Sequence, residues 1–187
     1  MGPSQEAGSG AEARHLLLAT QGRDRPGIVA GVVEPLTAFG CNIEDSRMAV
    51  LGGYFAMLMV ARAPEDLDDA GLRAALRAAR DQLALDHVEL HPLADPRVAA
   101  TLQSATHVVS ARDADHPGIV LAISSALAGL SVNIRNLQTR LEGDPPVYAM
   151  LVEVVLPAGL QSDALEAALQ AAAAAAGTEV TLRELGD

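Results

Sequence analysis

One pattern is written twice in this chain of 187 residues. Asp24-Arg25-Pro26-Gly27-Ile28-Val29 is followed by Asn42-Ile43, and Asp115-His116-Pro117-Gly118-Ile119-Val120 is followed by Asn133-Ile134. An offset of 91 (117 − 26) aligns residues 22–43 with a second copy in which Asp24, Pro26, Gly27, Ile28, Val29, Leu36, Asn42 and Ile43 recur unchanged. At Ala56-Met57-Leu58 and Ala149-Met150-Leu151 the offset becomes 93 (150 − 57). Two residues were therefore added in the intervening turn, where insertions are tolerated. A repeat of this period divides the chain into two modules of roughly 80–90 residues each. The expected division is a flexible tail at 1–14, modules at 15–92 and 106–187, and a linker at 93–105.

Hydrophobic periodicity orders the elements within each copy. His15 to Thr20 is a short apolar run that suits a central strand. Pro26 suits the first position of a helix, where a missing N–H costs nothing. That helix runs through Val29, Val32, Val33 and Leu36 to a left-handed stop at Gly40, with Pro35 predicted to kink it. Asn42 to Val50 and Tyr54 to Arg62 read as a hairpin across Leu51-Gly52-Gly53, with Phe55, Met57 and Met59 on its buried face. Leu72, Leu76, Ala79 and Leu83 recur at helical spacing, and His87 to Leu90 closes the unit as a strand. The second copy repeats the order, with a turn at Glu142 to Pro146 and an Ala-rich helix from Asp163 to Ala176 ended by Gly177. The reading is α+β, β-α-β-β-α-β twice, each unit a four-stranded antiparallel sheet with two helices on one face.

Composition excludes several functions. Lys and Arg number 13 against 24 Asp and Glu, a net charge of -11, and aromatics are 2% with no Trp. Neither the cationic footprint for phosphates nor a stacking platform for bases is present, so no direct nucleic acid binding is expected. The single Cys41 cannot form an internal disulfide, which fits a reducing cytoplasm and a small buried hydrophobe. No apolar run reaches spanning length, so no membrane association is expected. Gly-x-Ser-x-Gly, Walker, zincin and Cys-x-x-Cys signatures are absent from the sequence. His87 and His91 alternate with Val88 and Leu90 and lie about 13 Å apart along a strand, too far for one ion. They read as solvent-facing, and His107 reads as a satisfied strand residue.

The repeated loop is the one candidate site. Gly27, Ile28 and Val29 place backbone N–H groups at a helix start, which attracts a carboxylate. Asp24 stands just before them, available to an ammonium group or as a helix cap, and the Asn42 amide offers both donors and an acceptor. Together they form a receptor for a small zwitterion. Asp-x-Pro-Gly is equally an ordinary way to start a helix, and Asn suits the turn after one, so the residues alone leave both readings open.

Strand, Asp-Arg-Pro-Gly-Ile-Val, helix, Gly40-Cys41-Asn42-Ile43 and a hairpin with Gly52-Gly53-Tyr54-Phe55-Ala56-Met57 resemble the ACT domain, a small regulatory amino-acid-binding module. A tandem of two from His15 onward resembles the glycine cleavage system transcriptional repressor family and its ACT-only relatives. The resemblance implies two ferredoxin-like ACT modules. It also implies an effector held against the first strand-to-helix loop, often where two modules meet. The residues so implicated are Gly22, Asp24, Gly27, Ile28 and Asn42, with Asp113, Asp115, Gly118, Ile119 and Asn133 in the second copy. The function it implies is non-enzymatic: a cytoplasmic homo-oligomer, without cofactor or metal, that senses a small amino acid of the glycine or serine class. Through protein contact it would control a transcription factor or metabolic enzyme. The competing reading is a structural interaction module or accessory subunit with no ligand. Arg23 and Arg25 stand against Ala114 and His116, so the two loops differ in charge and the first is expected to matter more.

Overall fold

The computed structural model describes residues 14–93, 104–114, 117–144 and 147–186. Of the expected tail, only Arg14 lies among them, where it opens a strand; of the expected linker, residues 94–103 lie outside. The chain divides into two compact units, Met1–Ala100 and Thr101–Asp187.

The first unit runs β1 (Arg14–Arg23), α1 (Ile28–Ala38), β2 (Asn42–Leu51), β3 (Tyr54–Ala63), α2 (Asp69–Gln82) and β4 (His87–Leu93). The second runs β5 (His107–Ala114), α3 (Ile119–Gly129), β6 (Asn133–Glu142), β7 (Val147–Val155), α4 (Ser162–Ala176) and β8 (Glu179–Glu184). Strand orders are β2-β3-β1-β4 and β6-β7-β5-β8, with every pairing antiparallel. The architecture is the doubled β-α-β-β-α-β unit that the repeat predicts. Leu93 belongs to β4, opposite His15, rather than to a linker.

Alternation explains the core. Leu16, Leu18, Phe55, Met57, Met59 and Ala61 point to one face of the first sheet and are buried, meeting Ile28, Val32 and Leu36 of α1 and Leu72 and Leu76 of α2. Val109, Ala111, Met150, Val152 and Val154 do the same in the second unit, against Ile119, Ile123, Leu127, Leu165 and Leu169. Truncating one such leucine to alanine costs about 2–5 kcal/mol. Cys41 is 8% exposed and belongs to this core; burial, with Asp69 adding to it, pushes its thiol up.

One detail of α1 differs from the sequence expectation. The helix starts at Ile28 rather than at Pro26, because Gly27 takes φ 93 and turns the chain before the helix begins. Pro35 lies inside a helix that runs on unbroken to Ala38, three residues beyond it, and the following Phe39 N–H reaches the Pro35 carbonyl at 3.1 Å. The β2–β3 hairpin closes on Gly52 and Gly53 at φ 59 and 79, the paired positive angles of a two-residue turn whose twist matches the strands. Each second strand carries a bulge, after Ile43 and after Ile134.

Candidate functional site

At the end of β1 the chain leaves the sheet, and the Asp24 N–H donates to the Gly53 carbonyl at 2.9 Å. This bond ties the strand-to-helix loop to the β2–β3 hairpin tip. Beside it opens a shallow cleft of about 430 Å³, lined by Asp24, Arg25, Pro26, Gly27, Ile28, Val29, Ala30, Met48 and Phe55. Its polar end is the loop and the start of α1, and its apolar wall is Met48, Phe55 and Val29.

The helix start is left open. Gly27 precedes α1 with no side-chain cap, so Asp24 does not cap the helix and the first N–H groups of α1 lack an intrahelical partner. Contrast α2, where the Asp68 side chain accepts from the Gly71 N–H at 2.9 Å. Gly118 repeats the geometry of Gly27 before α3, at φ 108 and also without a side-chain cap. Neither glycine is needed for close packing, because an added Cβ would meet nothing within 4 Å at either. Both turn the chain into the helix through the left-handed region. Arg23 lies over the Tyr54 ring, 5.5 Å from its centroid, and Arg25 enters the cleft.

Other predicted site residues sit elsewhere. Gly22 is buried within β1, and a Cβ there would stand 2.8 Å from Leu85 Cδ2 and 3.1 Å from Leu85 Cα, so close packing explains this glycine. Asn42 opens β2 opposite Arg62, while Leu51 at the other end of β2 is opposite Tyr54. Nine strand residues separate Asn42 from the hairpin tip that holds Asp24, about 30 Å. Within one module the amide and the loop therefore stand at opposite ends of the sheet. The second copy behaves alike: Asn133 pairs with Val155 at one end, and Ala114 pairs with Val147 at the other. Asp113 lies in β5, Ile119 opens α3 and is 2% exposed, and Asp115 lies outside the described residues, as does His116.

Sequence reasoning missed Met48 and the cleft-facing role of Phe55. Phe55 reads as core and is 1% exposed, but Met48 is 57% exposed although it faces the helix side, opposite Met57. The signal lay in register: a hydrophobe on an edge strand, paired to a core residue, lines whatever the helices leave uncovered.

His87 and His91 are solvent-facing, as expected, yet both rings turn to one carboxylate, each Nε2 lying 3.1 Å from Glu89 Oε2. Those hydrogen bonds, His87 first and then His91, hold the Glu89 carboxyl below its usual range. No group of three His, Cys, Asp or Glu able to hold a metal ion occurs among the described residues. His107 is satisfied at both nitrogens, by Thr106 Oγ1 and Ser162 Oγ at 2.9 Å each.

Comparison with known proteins agrees with the fold. The ACT domain family model matches residues 14–89. A UPF0237 protein of Methanopyrus kandleri is 41% identical over 71 residues, 37% of this chain and 79% of that protein. The glycine cleavage system transcriptional repressor of Escherichia coli is 46% identical over 46 residues, and the match spans only 24% of the repressor's length and 25% of this chain. The crystal structure of an unknown protein from Galdieria sulphuraria superposes with a TM-score of 0.78 at 26% identity, over 94% of this chain and 100% of that one. With a repeated pattern, two matching sheets and these relatives, the chain belongs to the ACT domain family and carries two such modules in tandem.

Proposed function

We propose that this chain is a non-enzymatic, cytoplasmic regulator that senses a small amino acid at the first strand-to-helix loop. It would pass that signal to a transcription factor or metabolic enzyme by protein contact, as a homo-oligomer. The observation that carries the reading is the uncapped start of α1 opening into a cleft that also holds Asp24 and Arg25. Unpaired N–H groups and Arg25 suit a carboxylate, and Asp24 suits an ammonium group. A ligand of the glycine or serine class presents both charges with little side chain to place against Met48 and Phe55. In this proposal Asp24, Gly27 and Ile28 form the receptor, with Gly118 and Ile119 in the second copy. Relatedness to a transcriptional repressor supports a regulatory role, and the acidic composition supports action through a protein rather than on DNA.

The test is the melting temperature of the whole chain with each proteinogenic amino acid in excess. A ligand selective for the folded state at 100 times its Kd adds roughly 2.7 kcal/mol, a shift easily seen. Arg25→Gln and Asp24→Asn are expected to reduce the shift without changing the unliganded melt. A panel with no response favours the competing reading, an interaction module or accessory subunit without a ligand.

A further inference from the structure

The outer face of the second sheet, turned away from its helices, holds a cleft of about 430 Å³ lined by Ser110, Arg112, Gln138, Arg140, Glu142, Ala149, Met150 and Leu151. Its volume falls in the range of small-molecule sites, roughly 300–1,000 Å³. The strand register places Arg112, Ala149 and Arg140 in one row across β5, β7 and β6. With strands about 4.8 Å apart, the two arginines stand roughly 10 Å apart at Cα. The small Ala149 between them leaves the floor of the depression. Ser110, Leu151 and Gln138 form the next row.

These charges are not demanded by the fold. The same positions of the first unit, by the repeat offsets, are Gln21 for Arg112, Ala49 for Arg140 and Leu51 for Glu142. A sheet of identical order stands there with none of the three charges. The one pre-existing pair is weak: Arg112 Nη2 and Glu142 Oε2 lie 3.6 Å apart, with side chains 70% and 50% exposed. Arg140 has no carboxylate partner among the described residues. Glu179 opposes Arg112 on β8, on the side away from Ala149, and does not line the cleft.

We propose that this cleft binds an acidic α-amino acid, a ligand with two carboxylates and one ammonium group. Two guanidinium groups and one carboxylate are its charge complement. Arg140 takes one carboxylate and Arg112 the other, each by charge-assisted hydrogen bonds that suit a planar fork. Glu142, released from Arg112, takes the ammonium group. The Gln138 amide stands beside Arg140 to complete the carboxylate's partners. This site lies in a different module and on a different face from the loop proposed above, so the two stand or fall separately.

The experiment is an NMR titration of the isotope-labelled full chain with L-glutamate, with glutarate, which lacks the ammonium group, and with L-glutamine, which lacks one carboxylate. Saturable shifts are expected at Gln138, Ala149 and Leu151 with L-glutamate, and weaker binding by both analogues. Arg140→Gln is expected to weaken L-glutamate roughly tenfold or more, the effect of losing a hydrogen bond between charged groups. Glu142→Gln is expected to weaken L-glutamate but not glutarate, a split that a general loss of structure cannot produce. Arg77→Gln, on the exposed side of α2 and outside both proposed sites, is expected to leave the shifts at Gln138, Ala149 and Leu151 unchanged in all three titrations. Absence of saturable shifts at millimolar L-glutamate overturns the proposal. So does an Arg140→Gln variant that binds as tightly as the parent, or equal losses for L-glutamate and glutarate in Glu142→Gln.

Discussion

Four helix ends in this protein make one and the same stop, and two of them make it with the wrong residue. After α1, α2, α3 and α4 the chain enters the left-handed region at Gly40, Ala84, Ser131 and Gly177, with φ of 74, 43, 56 and 69. Gly40 and Ser131 correspond by the offset of 91 (131 − 40), and Ala84 and Gly177 by 93 (177 − 84). The bonds match too: Gly40 N–H to Thr37 O and Ser131 N–H to Ala128 O are both 3.0 Å, and Ala84 N–H to Asp81 O and Gly177 N–H to Ala174 O are both 3.2 Å. A left-handed residue with a Cβ costs roughly 1–2 kcal/mol. Glycine removes that cost but adds about 0.4–1 kcal/mol of unfolded-state entropy. Ala84→Gly and Ser131→Gly are therefore each expected to stabilise their own module by roughly 0.5–1 kcal/mol, about 2–8 °C for a domain of this size. The reverse change, Gly177→Ala, is expected to cost about 1 kcal/mol through conformation alone, since its Cβ would meet nothing within 4 Å. Thermal melts followed by circular dichroism, with urea titration as a second measure, give the answer. If Ala84→Gly lowers the melt while Gly177→Ala leaves it unmoved, the strain assigned to these stops does not exist.

Gly22→Ala is expected to destabilise the first module by about 1–3 kcal/mol, the usual cost of overpacking, because its Cβ would press on Leu85; a urea melt checks it. Arg14 Nη2 donates to Asp69 Oδ1 at 2.8 Å, and that hydrogen bond leads the causes that hold the Asp69 carboxyl below its usual range. A depressed carboxylate stabilises above the unfolded pKa of about 3.9 and loses that contribution as pH falls through the folded value. Asp69→Asn should therefore melt below the parent at neutral pH and converge with it in acid. Asn42→Ala and Asn133→Ala are expected to leave both the unliganded melt and any amino-acid response at the first loop unchanged, to within about 0.5 kcal/mol. Abolition of the response by Asn42→Ala would require the two ends of the sheet to meet in one site.

Much of this architecture is legible in the sequence because it rests on local rules. Alternation in Phe55, Met57 and Met59 and helical spacing in Leu72 and Leu76 each report one face of one element, and every one of these residues is buried. Gly40 and Gly177 announce helix ends because few other residues tolerate the backbone there. What local rules miss is the direction of travel. Asn42 follows the repeated loop by a fixed interval, so a linear reading groups them, yet α1 carries the chain the length of the sheet before β2 begins. The cleft wall at Met48 is hidden for the opposite reason: it comes from a strand that returns toward the loop, and only the register with Met57 shows it.

Duplication also separates what the fold requires from what it permits. Where both copies keep one residue, the structure often supplies a packing or backbone reason: Ile28 and Ile119, Leu36 and Leu127 are buried, and Gly27 and Gly118 are left-handed. Such identity is therefore weak testimony for a ligand. Asn42 and Asn133 are the instructive exception, exposed in both copies with no side-chain hydrogen bond among the described residues. Divergence says more. Arg112, Arg140 and Glu142 against Gln21, Ala49 and Leu51 change charge at exposed positions, and in sequence Arg25 stands against His116. On a chain whose net charge is -11 an arginine is favoured by the overall field, so the local signal is the difference between matching positions of the two copies and not the positive charge itself. The two modules share a scaffold, and the charges that differ between them are where their chemistry parts.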